Sequence, residues 1–416
     1  MKVMMTVHGY PLKKMGGVGL YVEALTRIFQ KSNVSLALLA PITSNRWNLR
    51  IERFKWGLAY LIEQPPIQEW KQTWFRPELS NLLQTTLSNW NPDVLHIHHH
   101  NDLSLHLHEI LPSKTKIVIT LHDYALPCAR GQLYNPNLGI CSGPSPAKCV
   151  VCLSSEIQHT PLTNILKKHL PQKQLEQLKI LFTKTSIPHL VNKDQHIQNR
   201  LEAVNKLLNK ADLLLSPSYD LINRFNQMNL PKPTHISLPV LRPIQNDLKP
   251  TKKPHRFVFA SSIIKTKGIE TLLEAFQHIS PEQATLTIAG FGDTTYIDRL
   301  QKEYSHHNWV GEIPHQKMSE FLNRHHTLIL PSLWPENSPI IVREALLAGL
   351  TIICSSQGGS SELAPKARLV TPGCPESLTH AVQAELLEQP TPTEATFPSL
   401  QSHGKELQNL YSQLLV

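Results

Sequence analysis

The sequence predicts an α/β protein of two doubly wound parallel-sheet domains facing each other across a cleft. Three observations carry this. Short apolar runs alternate with amphipathic helical stretches in both halves, a proline-rich break separates the halves, and 416 residues supply two cores of ordinary size. In the first half MKVMMTV reads as a strand, residues 18–30 as a helix, and VSLALLAP, DVLHIHH and KIVITLHD as further strands. The second half repeats the logic with RFVFASS, a helix over 268–278, ATLTIAG, a helix over 295–304, HTLILPS, a helix ending near Gly349, and LTIICSS. Between them, PKPTHISLPVLRPIQNDLKPTKKPHR holds six prolines and fits neither a packed helix nor a central strand. The domains are therefore placed at 1–235 and 250–390, and a last helical stretch within 391–416 is free to return to the first domain.

In open parallel sheets, ligands bind beyond the carboxyl ends of the strands, so the loops that follow strands are where chemistry is sought. The richest is Pro331 to Gly359. Ser338 reads as a helix N-cap and Pro339 as the first helical residue, where a missing N–H costs nothing. The first turn then leaves unpaired N–H groups near Ile340 and Ile341, a natural seat for an anion. Glu336 and Glu344 flank that seat, and carboxylates, which only accept, suit the hydroxyls of sugars. A diphosphate with a sugar at each end, a nucleotide-sugar, meets all three features. An ordinary solvated amphipathic helix gives the same Glu-x7-Glu spacing. Gly16, Gly17 and Gly19 follow the first strand and open a helix, so backbone there is free to approach a phosphate or a transferring sugar.

Hydrophobic residues make up 41% and charged residues 18%, which excludes a disordered chain. No apolar run is long enough to span a membrane and no signal peptide is legible, so a cytoplasmic location is expected. The net charge of +9 is uneven, with 24 Lys/Arg against 14 Asp/Glu in residues 1–215 and 17 against 18 beyond. The basic half suits an anionic lipid surface or acceptor, and equally a basic surface without a partner. Residues 47–79 mix Trp47, Phe54, Trp56, Tyr60, Trp70, Trp74 and Phe75 with Arg46, Arg50, Arg53 and Lys55, the composition of a peripheral membrane contact or of buried core helices. Residues 160–210 are polar and helical without a chemical signature.

Cys128, Cys141, Cys149 and Cys152 give C-x12-C-x7-C-x2-C in one loop rich in Gly and Pro. In a reducing compartment such a set suits structural zinc rather than disulfides, and a metal would order a loop with few apolar residues. Four unrelated thiols fit the spacing as well. Cys354 and Cys374 are isolated. His96, His98, His99 and His100 invite a metal reading, but no carboxylate is spaced with them, and lining of an acceptor cleft is expected instead.

These pieces together resemble the retaining nucleotide-sugar glycosyltransferases of family 4, which have the GT-B fold. HGYPLKKMGGVGLYVEAL, LHDYALPCARGQL, ADLLLSPS, KTKGIETLLEAF, IAGFGD, WPENSPIIVREALLAG and QGGSSEL carry the resemblance, in the family's order and across nearly the whole chain. It implies that Lys267 binds the diphosphate, Glu344 the ribose, and Glu336 and His122 the donor sugar, while backbone around Asn337, Ser338, Pro339 and Ile340 holds the distal phosphate. The family usually has an arginine where this chain has Ser262, so one cation is missing from the expected site. Neither half has the Asp-x-Asp triplet of metal-dependent transferases, in keeping with transfer that needs no cofactor. The resemblance further implies a glycan or lipid-linked acceptor in surface polysaccharide assembly, front-face attack with retention, and no nucleic-acid partner. A catalytically silent nucleotide-sugar-binding protein, or an epimerase or phosphorylase on the same frame, are the other readings.

Overall fold

A computed structural model of the chain describes residues 1–12, 16–55, 57–67, 70–137, 139–157, 187–246, 254–388 and 395–416. Its first sheet comprises β1 (Lys2–Thr6), β2 (Ser35–Thr43), β3 (Asn48–Phe54), β4 (Gly57–Gln64), β5 (Val94–Ile97), β6 (Lys116–Thr120), β9 (Leu213–Ser216) and β10 (Thr234–His235). The strands lie in the order β10-β9-β6-β5-β1-β2-β4-β3, and all pair in parallel except the β3–β4 hairpin. Two short strands, β7 (Tyr134–Asn135) and β8 (Gly139–Ile140), form a separate hairpin.

The second sheet comprises β11 (His255–Ala260), β12 (Ala284–Ala289), β13 (Asn308–Gly311), β14 (Thr327–Leu330), β15 (Thr351–Ser355) and β16 (Arg368–Val370). It is parallel throughout, in the order β13-β12-β11-β14-β15-β16, the doubly wound arrangement of a dinucleotide-binding sheet. Each sheet separates two apolar cores, and successive side chains feed them alternately: Met4 enters one core of the first domain, Val3 and Met5 the other. Burial on both faces is why these strands read in sequence as continuous apolar runs.

The segment 47–79 is not helical. It forms the β3–β4 hairpin and two short 3-10 turns, with Tyr60 and Trp74 buried and Trp47, Ile51 and Phe75 exposed. The basic residues Arg46 and Arg50 lie at 3.4 and 3.7 Å from Glu63, so part of the predicted positive face is neutralised within the sheet. Trp56 and the side chain of Trp70 lie outside the described residues, as does most of the polar stretch 160–210 before the helix Ile187–Lys210.

The helix Leu400–Leu414, capped by Ser399, packs against the helix Gly16–Phe29 of the first domain. Its Tyr411 hydroxyl lies 2.6 Å from His96 Nδ1, and its His403 Nε2 lies 2.7 Å from the Tyr21 hydroxyl. His96 therefore lies buried beneath this helix and does not line a cleft; its other nitrogen meets Thr120 Oγ1 at 2.7 Å.

Candidate active site

Each sheet reverses its winding direction once, between β1 and β5 in the first domain and between β11 and β14 in the second. Crevices beyond the strand ends at such points are where doubly wound sheets bind ligands. The loops leaving them carry His8, His98–His100 and, from neighbouring β6, His122 on one side. Ser262–Lys267 and Pro331–Ile340 stand on the other.

On the second-domain side, Lys267 Nζ lies 2.5 Å from Glu336 Oε1 and 5.2 Å from the centre of the Trp334 ring. Ser332 Oγ donates to the same carboxylate oxygen at 2.6 Å. Glu336 is fixed through its backbone by a parallel bridge to Gly358, and Gly359 N donates to its carbonyl at 2.6 Å. Only glycine tolerates that approach: Gly358 has φ +78°, and a Cβ there would fall 2.4 Å from the Glu336 carbonyl oxygen. Ser262 is partly exposed with no charge at its position, and Lys265 points to solvent.

Glu344, 3% exposed, accepts from Arg242 Nη2 at 2.5 Å and lies 3.6 Å from His315 Nε2. The remaining Arg242 donors, Nε and Nη1, are buried without a hydrogen-bond partner. Arg242 and His315 are site residues that the sequence reading missed. Arg242 sits in the proline-rich linker and His315 in a short 3-10 turn, and neither position carries a local signal.

One expectation about this loop is corrected. The helix spans Ile340–Leu347 with Pro339 as its N-cap, and Ser338 makes no cap hydrogen bond. The Ser338 hydroxyl instead accepts from Arg343 Nη1 at 2.5 Å, and this buried guanidinium, pushed down to about 10 by burial, outcompetes the backbone for that oxygen. The Asn337 side chain is occupied between the domains. Its amide donates to Leu121 O at 2.7 Å and accepts from Ser218 Oγ at 2.5 Å, tying the two domains together. Glu362 adds to the tie by accepting from Tyr219 N at 2.7 Å and Asp220 N at 2.5 Å, at the start of the first-domain helix Tyr219–Gln227. Gly17 meets Ile340 across the same gap, where a Cβ would lie 3.1 Å from Ile340 Cδ1. Gly16, at φ +61°, has open space around it. The glycine loop of the first domain and the Pro331–Ile340 loop of the second thus approach each other.

On the first-domain side, His122 Nε2 lies 3.0 Å from His98 Nδ1, and its ring meets Tyr21 edge to face at 5.3 Å. Burial pushes His122 down to about 3, so it is neutral near pH 7 and fit to donate or accept one hydrogen bond. Asp123 lies 3.4 Å from His99 Nε2; burial alone would raise its carboxyl, but the His99 hydrogen bond and charge hold it at about 2. His8 packs on His99 at 4.5 Å and is pushed down to about 4, by burial first. Among the described residues no group of three His, Cys, Asp or Glu side chains is placed to hold a metal ion.

Neutral histidines make stability depend on pH. His122 and His403 are held at about 3 and about 4, mainly by burial, against about 6.5 unfolded. Below pH 6.5 the unfolded chain binds protons that the folded chain refuses, so stability present at pH 7 is lost as the pH falls toward 4. The expected loss is on the order of 1 kcal/mol per histidine per pH unit. Urea midpoints measured at pH 7 and pH 5 should fall, whereas equal midpoints would contradict this picture of the histidine cluster.

Residues 242–396, which include most of the second domain, match the family model described as Glycosyl transferases group 1. Over 164 residues the chain is 25% identical to a Bacillus subtilis protein provisionally assigned as the teichuronic acid biosynthesis glycosyltransferase TuaC. That match covers 38% of this chain and 41% of the relative, less than half the length of each. Among solved structures, the sucrose-phosphate synthase of Thermosynechococcus elongatus is similar over 100% of this chain and 96% of its own, at TM-score 0.63 and 14% identity. Anabaena HepE, solved with UDP and glucose, is similar over 99% and 100%, at TM-score 0.63 and 15% identity. The catalytic domain of Arabidopsis thaliana starch synthase IV, bound to ADP and acarbose, is similar over 100% and 99%, at TM-score 0.60 and 12% identity. The chain has the GT-B fold, with two Rossmann-like domains.

Proposed function

We propose that the protein transfers a sugar from a nucleotide-sugar donor to a glycan or lipid-linked acceptor, with retention, in surface polysaccharide assembly. The observation that carries this is the pair of buried carboxylates, Glu336 and Glu344, each held by a cation within the region that matches the group 1 family model. Lys267 would exchange Glu336 for the diphosphate and stabilise the charge that gathers on it as the sugar leaves. Glu344 would accept from the ribose hydroxyls, Glu336 and neutral His122 would orient the donor sugar, and the N–H groups at Ile340 and Ile341 would hold the distal phosphate. The acceptor proton would pass to the leaving phosphate, so no side chain is assigned as general base. Nucleotide-bound neighbours and the name of the Bacillus relative support the donor and pathway.

The test is release of nucleoside diphosphate from a panel of nucleotide-sugars, with and without an oligosaccharide acceptor. Sugar appearing on the acceptor in step with nucleotide release supports transfer. Tight donor binding without release at any acceptor concentration would favour the silent binding protein, a reading that Ser262 supports by leaving one cation fewer beside the diphosphate.

For a lipid-linked acceptor, the exposed Trp47, Ile51 and Phe75 beside Arg46, Arg50, Arg53 and Lys55 offer a peripheral membrane contact. None of the helices among the described residues is long and apolar enough to cross a membrane. Binding to anionic liposomes should weaken as salt rises, and replacing the four basic residues by Gln should release the protein, Arg53 and Lys55 each contributing on the order of 1 kcal/mol and Arg46 and Arg50, beside Glu63, less. Equal sedimentation of the quadruple variant and the parent would remove this segment from the membrane.

A further inference from the structure

The four loop cysteines, scattered over 25 positions, line one cavity of about 490 Å3 in the first domain. Each is brought there by a different piece of local structure. Cys128 follows the turn after β6, where its N–H donates to Tyr124 O at 2.8 Å. Cys141 follows the β7–β8 hairpin and donates from its backbone to Leu133 O at 2.7 Å. Cys149 and Cys152 lie one turn apart on the helix Pro146–Ile157.

Two features near the cavity favour negative charge on sulfur, against the burial that pushes the Cys149 and Cys152 thiols up. N–H groups point at two of the sulfurs, Gly143 N at 3.4 Å from Cys141 Sγ and Asn135 Nδ2 at 3.2 Å from Cys152 Sγ. Arg200, only 4% exposed, comes from the helix Ile187–Lys210 and donates to Ala125 O at 2.5 Å, three residues before Cys128. No carboxylate pairs with it among the described residues. A guanidinium buried without a counter-charge is costly, and the thiols are the groups placed to supply one. Several adjacent thiolates repel one another unless a cation lies among them.

We propose that Cys128, Cys141, Cys149 and Cys152 form a structural site for a thiophilic divalent cation, zinc above all, with Arg200 balancing the net negative charge of the metal–thiolate group. A donor set of four sulfurs and no oxygen selects zinc over magnesium or calcium. As placed, no three of the sulfurs stand close enough to hold an ion, and Cys141 Sγ donates to Gly143 O at 3.2 Å, the bond of a neutral thiol. Binding would break that bond, release the four thiol protons to solvent and form four metal–sulfur bonds. None of the four cysteines is among the residues assigned to the donor, and metal content is read independently of transfer activity.

The test is elemental analysis of the full chain purified without chelator or added metal, followed by exchange into cobalt. About one zinc per chain is expected, with a thiolate-to-cobalt charge-transfer band after exchange. Cys149→Ser with Cys152→Ser should abolish both. Arg200→Gln should keep the band but weaken metal affinity by about tenfold, the range for partners that act through the ligands. If the serine variants fail to fold, the cobalt spectrum of the parent still decides. A zinc-free protein that takes up neither metal after reduction, or one whose mass shows these cysteines paired as disulfides, overturns the proposal.

Discussion

Replacing Lys267 by alanine is expected to lower turnover at saturating donor by about 100-fold or more, the range for removing one preorganised donor to developing charge. Lys267 stands 2.5 Å from Glu336 and over the Trp334 ring, so its ammonium is positioned before any ligand arrives. With serine at 262 and Lys265 in solvent, no neighbouring cation on that loop is placed to take over. The variant should keep its fold, since the lost pair lies at a cleft rather than in either core. Near-normal turnover with an unchanged donor KM would remove Lys267 from leaving-group stabilisation.

The second large effect is expected at Glu344. Glu344→Gln should weaken nucleoside diphosphate binding by roughly 1.5–3 kcal/mol, the range for hydrogen bonds to a charged group. The structure adds a second consequence. Arg242 now spends one donor on Glu344 and has two others unsatisfied, so the glutamine variant strands a buried guanidinium as well as losing a ligand contact. Glu344→Gln should therefore also lower the thermal midpoint, and pairing it with Arg242→Gln should restore much of the stability without restoring nucleotide affinity. Calorimetry showing equal nucleotide affinity for parent and Glu344→Gln would sink the ribose assignment.

Most of the architecture was legible because parallel strands covered on both faces must be apolar throughout, and RFVFASS, ATLTIAG and HTLILPS announce themselves without context. The β3–β4 hairpin was not, because NLRIERF alternates apolar and charged residues on an exposed edge and its aromatic neighbours mimic a membrane-facing segment. Glu336 and Glu344 were singled out by a local pattern, two carboxylates around a helix start, and Lys267 by the family resemblance. What sequence could not give was long-range pairing. Arg242 reaches Glu344 across 102 positions, Asn337 reaches Leu121 across 216, and Tyr411 covers His96 across 315. The misplaced N-cap has the same origin, since a serine beside Pro339 looks like a cap until Arg343 is seen to take its oxygen.

The central claim, that Lys267, Glu336 and Glu344 form a nucleotide-sugar site, is tested most directly by titrating the protein with UDP, ADP, GDP and TDP in a calorimeter. The account predicts saturable binding of at least one of them to the parent, and loss of that binding when Lys267→Ala and Glu344→Gln are combined. Binding of none, or equal binding to parent and double variant, would contradict it.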